Sequence, residues 1–372
     1  MRSKPTQDRI PEIRSRLLVW FEREARDLPW RRTRDPYHIW LSEIMLQQTR
    51  VNQAESYFNR FTYRYPTVHD LADADLDTVL RDWEGLGYYA RARNMHRAAQ
   101  MIVRDMGGQF PASYSDVRSL PGVGPYTAAA VMSIAHGAPY AAVDGNVIRV
   151  LSRLFEMSDD PRSAAGRRAF DERATSLLDV ERPGSFNEAM MELGATVCLP
   201  ANPKCDDCPL SELCGARAAG TIEEYPRRRR KRSVPHYRIA VAVIQRGDHV
   251  FIQRRAENGL LGGLWEFPGG KIEVGETPQQ ACQREVLEEL GVRVHILEAL
   301  ESIDHAYSHF TVTLYPFVCS ISAGQPRTEL RSRWATLEEL EATAFPRANR
   351  RLIQMLSSEH FEAGRSGNIE VP

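Results

Sequence analysis

The chain has 372 residues, of which 42% are hydrophobic and 26% charged, and its formal net charge is −1. This length allows roughly two or three domains, the composition is ordinary for a folded globular protein, and no apolar run is long enough to cross a membrane. The charged, proline-interrupted N-terminus lacks the apolar core of a secretion signal and predicts a cytoplasmic protein. Because the net charge is close to zero, any nucleic-acid-binding face must be a local patch.

Two helices are predicted near the N-terminus. Apolar residues at helical spacing predict a first helix over residues 11–26 and a second that opens at Pro36, with an apolar stripe from Tyr37 to Val51. Glu43 lies on the flank of that stripe, where a glutamate is ordinarily a surface residue. Basic residues around both helices form a candidate phosphate-binding patch: Arg26, Arg31, Arg32, Arg34 and Arg50.

A glycine-rich segment runs from Trp83 to Arg93. Gly85 and Gly87 allow a sharp loop, which is followed by two tyrosines and an arginine-rich helix. Aromatic side chains next to basic ones suit unstacked bases and phosphates. The same pattern is also expected of a hinge with buried aromatic anchors.

A tight hairpin is predicted around Gly122, Val123 and Gly124, directly before an alanine-rich helical run over residues 127–135. Glycine tolerates the left-handed backbone of such a turn, and the following helix N-terminus attracts a phosphate. Asp144 then precedes another helical run. Taken separately, these features are an ordinary turn and an N-cap.

Four cysteines follow with the spacing C-x6-C-x2-C-x5-C: Cys198, Cys205, Cys208 and Cys214. Disulfide bonds are not expected in a chain without a secretion signal. Four thiolates on one short loop suit either a zinc ion or a 4Fe–4S cluster. Cys282 and Cys319 are distant in sequence and are expected to be packed free thiols.

A basic, proline-flanked linker over residues 223–236 separates a second region of different character. Strands rich in valine and isoleucine, together with a helix over residues 278–290, predict an α+β sandwich over residues 237–360. Its segment Gly270-x5-Glu276-x7-Arg284-Glu285-Val286-Leu287-Glu288-Glu289-Leu290-Gly291-Val292 satisfies the whole Nudix box. Glu285, Glu288 and Glu289 share one helical face, where clustered carboxylates can hold Mg²⁺. The alternative is that the box survives as a scaffold, with Arg284 pairing a glutamate.

The hairpin and Asp144 together resemble the helix-hairpin-helix DNA glycosylases, the family of endonuclease III and MutY. The segment Trp-Leu-Ser-Glu-Ile-Met-Leu-Gln-Gln-Thr, residues 40–49, is similar to the MutY segment that carries the catalytic glutamate, and the cysteine spacing equals that of the endonuclease III cluster loop. The resemblance implies that Glu43 protonates the base, that Asp144 lies at the sugar, and that Tyr126 and Asn146 position them. Lyase members carry a lysine at the position of Tyr126, so this chain is expected to stop at the abasic site.

The same resemblance implies contacts with DNA. The hairpin residues Gly122, Val123 and Gly124 would hold a phosphate, and Arg31 belongs to a candidate phosphate patch. Gln48 and Tyr88 occupy the positions of the wedge that separates bases, while Thr49 and Leu86 would lie against the base opposite the target. Because the enzyme acts on duplex DNA, it must flip its base out of the helix.

MutY proteins carry a C-terminal Nudix-like domain that reads 8-oxoguanine. Tyr307-Ser308-His309 resembles the MutY loop Phe-Ser-His, and Ser308 and His309 are therefore expected to contact the oxidised guanine. In MutY the Nudix box is usually eroded, whereas here it is intact, so an additional Mg²⁺-dependent pyrophosphohydrolase activity stays open as an alternative.

These observations predict a multidomain protein. Residues 1–222 form an all-α glycosylase domain with a 4Fe–4S cluster loop over 198–214, residues 223–236 form the linker, and residues 237–360 form an α+β Nudix-like domain. The expected function is removal of adenine mispaired with 8-oxoguanine or guanine in double-stranded DNA. The expected protein is monomeric and has no membrane contact.

Overall fold

A computed structural model describes residues 9–227, 234–256, 261–307 and 310–356. Contacts divide the chain into two compact units. We call the one formed by residues 9–73 and 94–227 the helical unit, and the one formed by residues 74–93 and 234–356 the sheet unit. Most of the basic run of the linker, and both Ser308 and His309, lie outside the described residues, so the predictions made for them are not addressed by the fold.

The helical unit is built from α-helices and short 3₁₀ turns. Its α-helices are α1 (Ile10–Glu24), α2 (Pro36–Leu46), α3 (Val51–Arg64), α4 (Val68–Asp73), most of α6 (Ala90–Asp105), α7 (Tyr114–Ser119), α8 (Pro125–His136), α9 (Gly145–Phe155), α10 (Ala164–Leu177), α11 (Pro183–Thr196) and α12 (Gly215–Ala219). In the described part of the chain they are accompanied by 3₁₀ turns at Pro29–Arg32, Cys205–Asp207, Ser211–Leu213 and Ile222–Glu224. The predicted all-α character of this region is confirmed.

The core of the helical unit joins α1, α9, α10 and α11. Large apolar side chains such as Leu17, Leu151, Phe170 and Leu193 are buried together there, and burial of each stabilises the fold by roughly 1.5–3 kcal/mol. Gly194 lets α11 approach α9 closely, because a Cβ at this position would lie 2.6 Å from the Cβ of Asn146. This close approach fixes the start of α9, where Asp144 is located.

The predicted second helix is wrong in its extent. The apolar stripe from Tyr37 to Val51 suggested one helix, but α2 ends at Leu46 and Val51 begins α3. The backbone at Gln48 between them has φ 57°, a left-handed conformation that interrupts the helix. Apolar spacing cannot detect such a break, since buried apolar residues resume within α3.

The sheet unit contains α5 (Leu76–Asp82) and a mixed eight-stranded sheet. The strands are β1 (His236–Arg246), β2 (His249–Arg254), β3 (Trp265–Glu266), β4 (Gly269–Lys271), β5 (Arg293–Ala299), β6 (Ile303–Ala306), β7 (Thr311–Ala323) and β8 (Ser332–Ala335). The main path is β3-β2-β1-β7-β5, with β4 on β1, β6 on β7 and β8 on β2. Strands β1 and β7 are parallel, and the other pairs are antiparallel.

Helices cover both faces of this sheet. Alternate residues of β1 point to opposite sides: Ala240 and Ala242 pack with α13 (Pro278–Leu290), whereas Val241 and Val243 pack with α14 (Leu337–Ala342) and α15 (Arg347–Met355). The predicted α+β sandwich is thereby confirmed. Helix α15 and the short strands β3, β4, β6 and β8 were not predicted, because segments of two to nine residues carry too little periodicity.

Among the described residues, no helix is both long enough and apolar enough to cross a membrane.

Candidate active site

A cavity of about 530 Å³ opens within the helical unit, a volume typical of small-molecule sites. Glu43 from α2, Tyr126 from the first turn of α8, and Asp144 and Asn146 at the start of α9 all line it. The structure therefore brings together the four residues predicted to be catalytic. No lysine of the described chain is among the residues that line this cavity.

Glu43 is a buried acid with one short hydrogen bond. Only 4% of the residue is exposed, and the Tyr126 hydroxyl donates to its Oε2 over 2.7 Å. Burial raises the pKa of Glu43 to about 7, the bond from Tyr126 acts against this rise, and the nearby charge of Asp144 adds to it. At neutral pH this carboxyl group is therefore divided between a proton-donating and an ionised form.

Asp144 is the N-cap of α9. Its Oδ1 accepts from the backbone N–H of Val147 over 2.7 Å, and its Oδ2 accepts from Nδ2 of Asn146 over 2.8 Å. Burial raises the pKa of Asp144, while these two hydrogen bonds favour its ionised form. The N-cap role expected of any aspartate before a helix is thus real, and it also orients the carboxylate at the edge of the cavity.

A chain of hydrogen bonds connects this aspartate with the cysteine loop. Oδ1 of Asn146 accepts from Nη2 of Arg149 over 2.8 Å, and Nε of Arg149 donates to the carbonyl of Cys198 over 2.7 Å. Arg149 is 6% exposed and also donates to the carbonyl of Gly194. A displacement of the cysteine loop would therefore reach Asn146 and Asp144 through one buried guanidinium group.

Two acids of the cavity were not anticipated. Glu188 and Glu192 are one helical turn apart on α11, and both are buried. Arg31 bridges them, with Nε 3.3 Å from Glu188 and Nη2 3.0 Å from Glu192, and Arg26 adds a bidentate pair with Glu192. Although burial acts to raise the pKa of Glu192, hydrogen bonds and charges from both arginines lower it overall. The only sequence signal for these buried acids is the i, i+4 spacing of the two glutamates, and that spacing is common on exposed helices.

The hairpin has the backbone that its glycines predicted. Gly122 adopts φ 78°, and a Cβ there would lie 2.7 Å from the Cβ of Asn94. Val123 is buried, its carbonyl accepts from Arg118 over 2.7 Å, and Gly124 is the N-cap of α8. The turn thus presents the helix N-terminus with no side chain at its tip, a geometry that suits a phosphate.

The two residues predicted to form the wedge share a strained backbone. Gln48 has φ 57° and Tyr88 has φ 49°, which is uncommon for residues other than glycine. Strain of this kind often accompanies function. Thr49 lines the cavity beside Gln48, whereas Leu86 is buried with 5% exposure and would have to move to touch a base.

The four cysteines of the loop line a common cavity of about 30 Å³. Arg153 donates to Sγ of Cys198 over 3.5 Å, whereas burial raises the pKa of the other three thiols, that of Cys208 to about 12. Within the described residues, no three His, Cys, Asp or Glu side chains are arranged to hold a metal ion. Zinc needs four ligands around one ion, while each iron of a cubane cluster takes a separate thiolate. The four thiols share one small cavity, and four thiolate donors are what either a 4Fe–4S cluster or a zinc ion would need.

The carboxylates of the Nudix box are engaged with protein groups. Arg284 donates to Glu276 twice, over 2.7 and 2.9 Å, and to Glu285 and Glu288 over 2.9 and 3.1 Å. Glu289 accepts from Gln253 and from the backbone of Gly269. A cavity of about 370 Å³ lies beside the box, lined in part by Gly269, Gly270, Lys271, Glu266 and Tyr307.

Two protein families match the chain. The HhH-GPD superfamily of base excision DNA repair proteins matches residues 41–174, and the NUDIX domain matches residues 240–355. The adenine DNA glycosylase of Homo sapiens is 33% identical over 94% of this chain and 75% of its own length. That of Buchnera aphidicola (subsp. Acyrthosiphon pisum) is 30% identical over 93% of this chain and 97% of its own.

Solved structures resemble the helical part. A thermostable thymine-DNA glycosylase superposes with a TM-score of 0.54 and 31% identity, covering 58% of this chain and all of its own. A trapped covalent intermediate of endonuclease III with DNA has a TM-score of 0.51 and 26% identity, covering 58% of this chain and 99% of its own. The expected helix-hairpin-helix glycosylase fold is confirmed.

Proposed function

Because this chain belongs to the adenine DNA glycosylases, we propose that it excises adenine mispaired with 8-oxoguanine or guanine in duplex DNA, without a lyase step. The observation that carries this proposal is the buried pair of Glu43 and Tyr126, which shares one cavity with Asp144. Binding to DNA alone would require neither carboxylate. An amine for a Schiff base is missing at position 126 and from the described lining of the cavity.

The reaction follows from the two carboxyl groups. Protonated Glu43 donates its proton to N7 of the extruded adenine, and the bond between the base and C1′ breaks with its electron pair leaving on adenine. The sugar then carries positive charge at C1′, which the ionised Asp144 stabilises, as a second carboxylate does in glycoside hydrolysis. Water adds to C1′ and loses a proton, so the products are free adenine and an abasic site.

Tyr126 and Asn146 position these groups. The hydroxyl of Tyr126 fixes one oxygen of Glu43, and Asn146 fixes one oxygen of Asp144. The hairpin at Gly122 to Gly124 would hold a phosphate, and Gln48 and Tyr88 would fill the space that the adenine leaves. Their strained backbone supports this assignment. We further propose that the protein acts as a monomer in the cytoplasm.

The test is an end-labelled duplex with one adenine opposite 8-oxoguanine, incubated with the protein and then divided between hot alkali and neutral buffer. We expect strand breakage only after alkali. Glu43→Gln and Asp144→Asn should each abolish breakage while the duplex is still bound. Breakage without alkali would reveal a lyase amine, and turnover in either variant would remove the catalytic assignment.

Cys198, Cys205, Cys208 and Cys214 would hold a 4Fe–4S cluster, which when bound would cross-link the ends of their loop. The shared cavity of the thiols supports this assignment. Purified protein should be brown and absorb at about 400 nm. A colourless protein with one equivalent of zinc would contradict it.

The sheet unit would read the base opposite adenine through Ser308 and His309. Replacing both by alanine should weaken the preference for 8-oxoguanine over guanine. A second activity, hydrolysis of a nucleoside-diphosphate-linked substrate, is favoured by the intact box and its neighbouring cavity. It would need Mg²⁺ held by Glu285, Glu288 and Glu289, after Glu285 and Glu288 are released from Arg284. Mg²⁺-dependent nucleotide cleavage that Glu288→Gln abolishes would establish it.

A further inference from the structure

The segment of residues 74–93 separates α4 from the rest of α6 in the chain, yet it packs as part of the sheet unit. Its loop is fixed locally. Nη2 of Arg91 donates to the carbonyls of Leu86 and Gly87, each over 3.0 Å, and the indole of Trp83 donates to Gly87 over 2.9 Å. The backbone conformation of Tyr88, which directly follows, therefore depends on where this loop is anchored.

Arg350 of α15 provides the anchor. Its Nε and Nη2 donate to the two oxygens of Glu84, each over 2.8 Å, with Arg350 and Glu84 only 17% and 25% exposed. The same guanidinium donates to the carbonyls of Leu340 over 3.0 Å and Thr343 over 2.5 Å, at the end of α14. The guanidinium thus binds the carboxylate of Glu84 and two backbone carbonyls at the same time. This pair therefore fixes the orientation of the loop, which a loose surface ion pair would not do.

Two other contacts fasten the segment at its ends. Nη2 of Arg254 lies 2.7 Å from Asp77 in α5, and Arg93 donates to the carbonyl of Gly262. Of the three anchored residues, Glu84 is nearest in sequence to Tyr88. A change in the position of α15 would therefore act on the loop through Glu84 first.

Helix α15 also contacts the strand that leads to the predicted base-reading loop. It packs against β6, and Nη1 of Arg351 donates to the carbonyl of Asp304 over 3.0 Å. Tyr307, directly before Ser308 and His309 in the sequence, packs against the core cluster that includes Ala348 of α15. Helix α15 thus contacts the strand before residues 308–309 through Arg351, and it holds Glu84 through the neighbouring Arg350.

We infer that Glu84 and Arg350 are positioning residues that couple recognition of the base opposite adenine to the wedge residue Tyr88. This inference rests on the proposed function, since it assumes that the sheet unit reads the opposite base and that Tyr88 separates bases. The sheet unit then does more than bind the damaged guanine: its helix α15 sets the loop that opens the duplex.

The anchoring of the loop through Glu84 and Arg350 is tested in the full-length protein by amide hydrogen exchange. Glu84→Gln keeps the shape of the side chain and removes its charge. The matched control is Glu339→Gln, which removes an Arg–Glu pair with Arg333, 3.2 Å long, and retains a residue able to cap α14. We expect faster exchange at Leu86 and Arg91, whose amides bond within the loop, in Glu84→Gln only. Unchanged exchange at both amides would overturn the anchor.

The coupling to recognition of the opposite base is tested by comparing the single-turnover rates of adenine excision opposite 8-oxoguanine and opposite guanine. We expect Glu84→Gln to lower the ratio of these two rates roughly fivefold, the lower range for coupled sites, and the Glu339→Gln ratio to stay at the wild-type value. Adding Arg350→Lys to Glu84→Gln should lower the ratio no further, because two residues that act through one contact are not additive.

The outcomes separate the inference from the function on which it rests. Wild-type protein that excises adenine with a preference, alongside an unchanged ratio in Glu84→Gln, would overturn the coupling alone. If the losses of the rate ratio caused by Glu84→Gln and by Arg350→Lys add in the double variant, the coupling is also overturned. Wild-type protein that leaves adenine intact would overturn the proposed function and the coupling together.

Discussion

Glu43 illustrates how one residue is tuned by two opposing effects. Burial favours its neutral form and raises the pKa to about 7, while the hydroxyl of Tyr126 favours the ionised form. The proposed reaction needs the proton on Glu43 and the charge on Asp144. Activity should therefore rise with pH as Asp144 ionises and fall as pH passes through the pKa of Glu43.

Tyr126→Phe provides the test of this balance. It removes the hydrogen bond that lowers the pKa of Glu43, so that pKa should rise, and the alkaline limb of the pH profile for single-turnover excision should move to higher pH. A limb at the wild-type pH, or one displaced to lower pH, would mean that another group donates the proton. Binding of the duplex at one pH serves as the control.

At the level of a structural element, the conformation of the hairpin depends on the requirements of its individual glycines. Its backbone, which we propose binds a phosphate, has a left-handed residue at Gly122 that packs closely against Asn94. Gly124, in contrast, has an ordinary φ of −87°, and a Cβ added there would meet no other atom within 4 Å. The two glycines therefore have different requirements, although the sequence presents them as a matched pair.

Gly122→Ala should lower the free energy of unfolding by roughly 1–3 kcal/mol, the cost of a left-handed conformation for a residue with a Cβ. It should also weaken binding to duplex DNA. Gly124→Ala is the matched control and should change stability by less than about 1 kcal/mol. Chemical denaturation and a binding titration measure both effects, and equal losses from the two substitutions would contradict this explanation of the hairpin.

Sequence reasoning was strongest where local chemistry alone determines the structure. The turn at Gly122 and the N-cap at Asp144 were predicted because both depend on neighbouring residues. The burial of Glu43 could not be read from its position on the flank of an apolar stripe, and the arginine–glutamate network around Arg31 joins residues more than 150 positions apart. Only the packing of α11 against the N-terminal helices brings those groups together.

At the scale of the whole molecule, the two units are not separated by a single cut along the chain. The predicted boundary at residues 223–236 separates helices from sheet, and it stays a prediction. Residues 74–93, however, pack with the sheet unit. Nothing local indicated this grouping, because Glu84, Asp77 and Arg93 look like ordinary surface charges until their partners from distant positions are known.

A chain that ends at Arg227 should therefore lose more than the proposed base-reading function. Glu84 would lose its partner Arg350, and Asp77 would lose its partner Arg254. For each kcal/mol of unfolding free energy lost with these pairs, the melting temperature should fall by roughly 2–4 °C. We expect trypsin to cleave faster after Arg81 and Arg91 than in the full-length protein. Cleavage after the exposed Arg162 should be unchanged and serves as the control.

The discontinuous sheet unit also imposes an order on biosynthesis. Chains fold from the N-terminus as they leave the ribosome. The cavity with Glu43 and Asp144 can be complete soon after α11 has emerged, since every residue that lines it precedes position 196. The loop before Tyr88 must wait for Arg350, more than 250 residues later in the chain. A nascent or prematurely terminated chain thus has its chemical groups assembled before the loop that carries the proposed wedge residue is anchored.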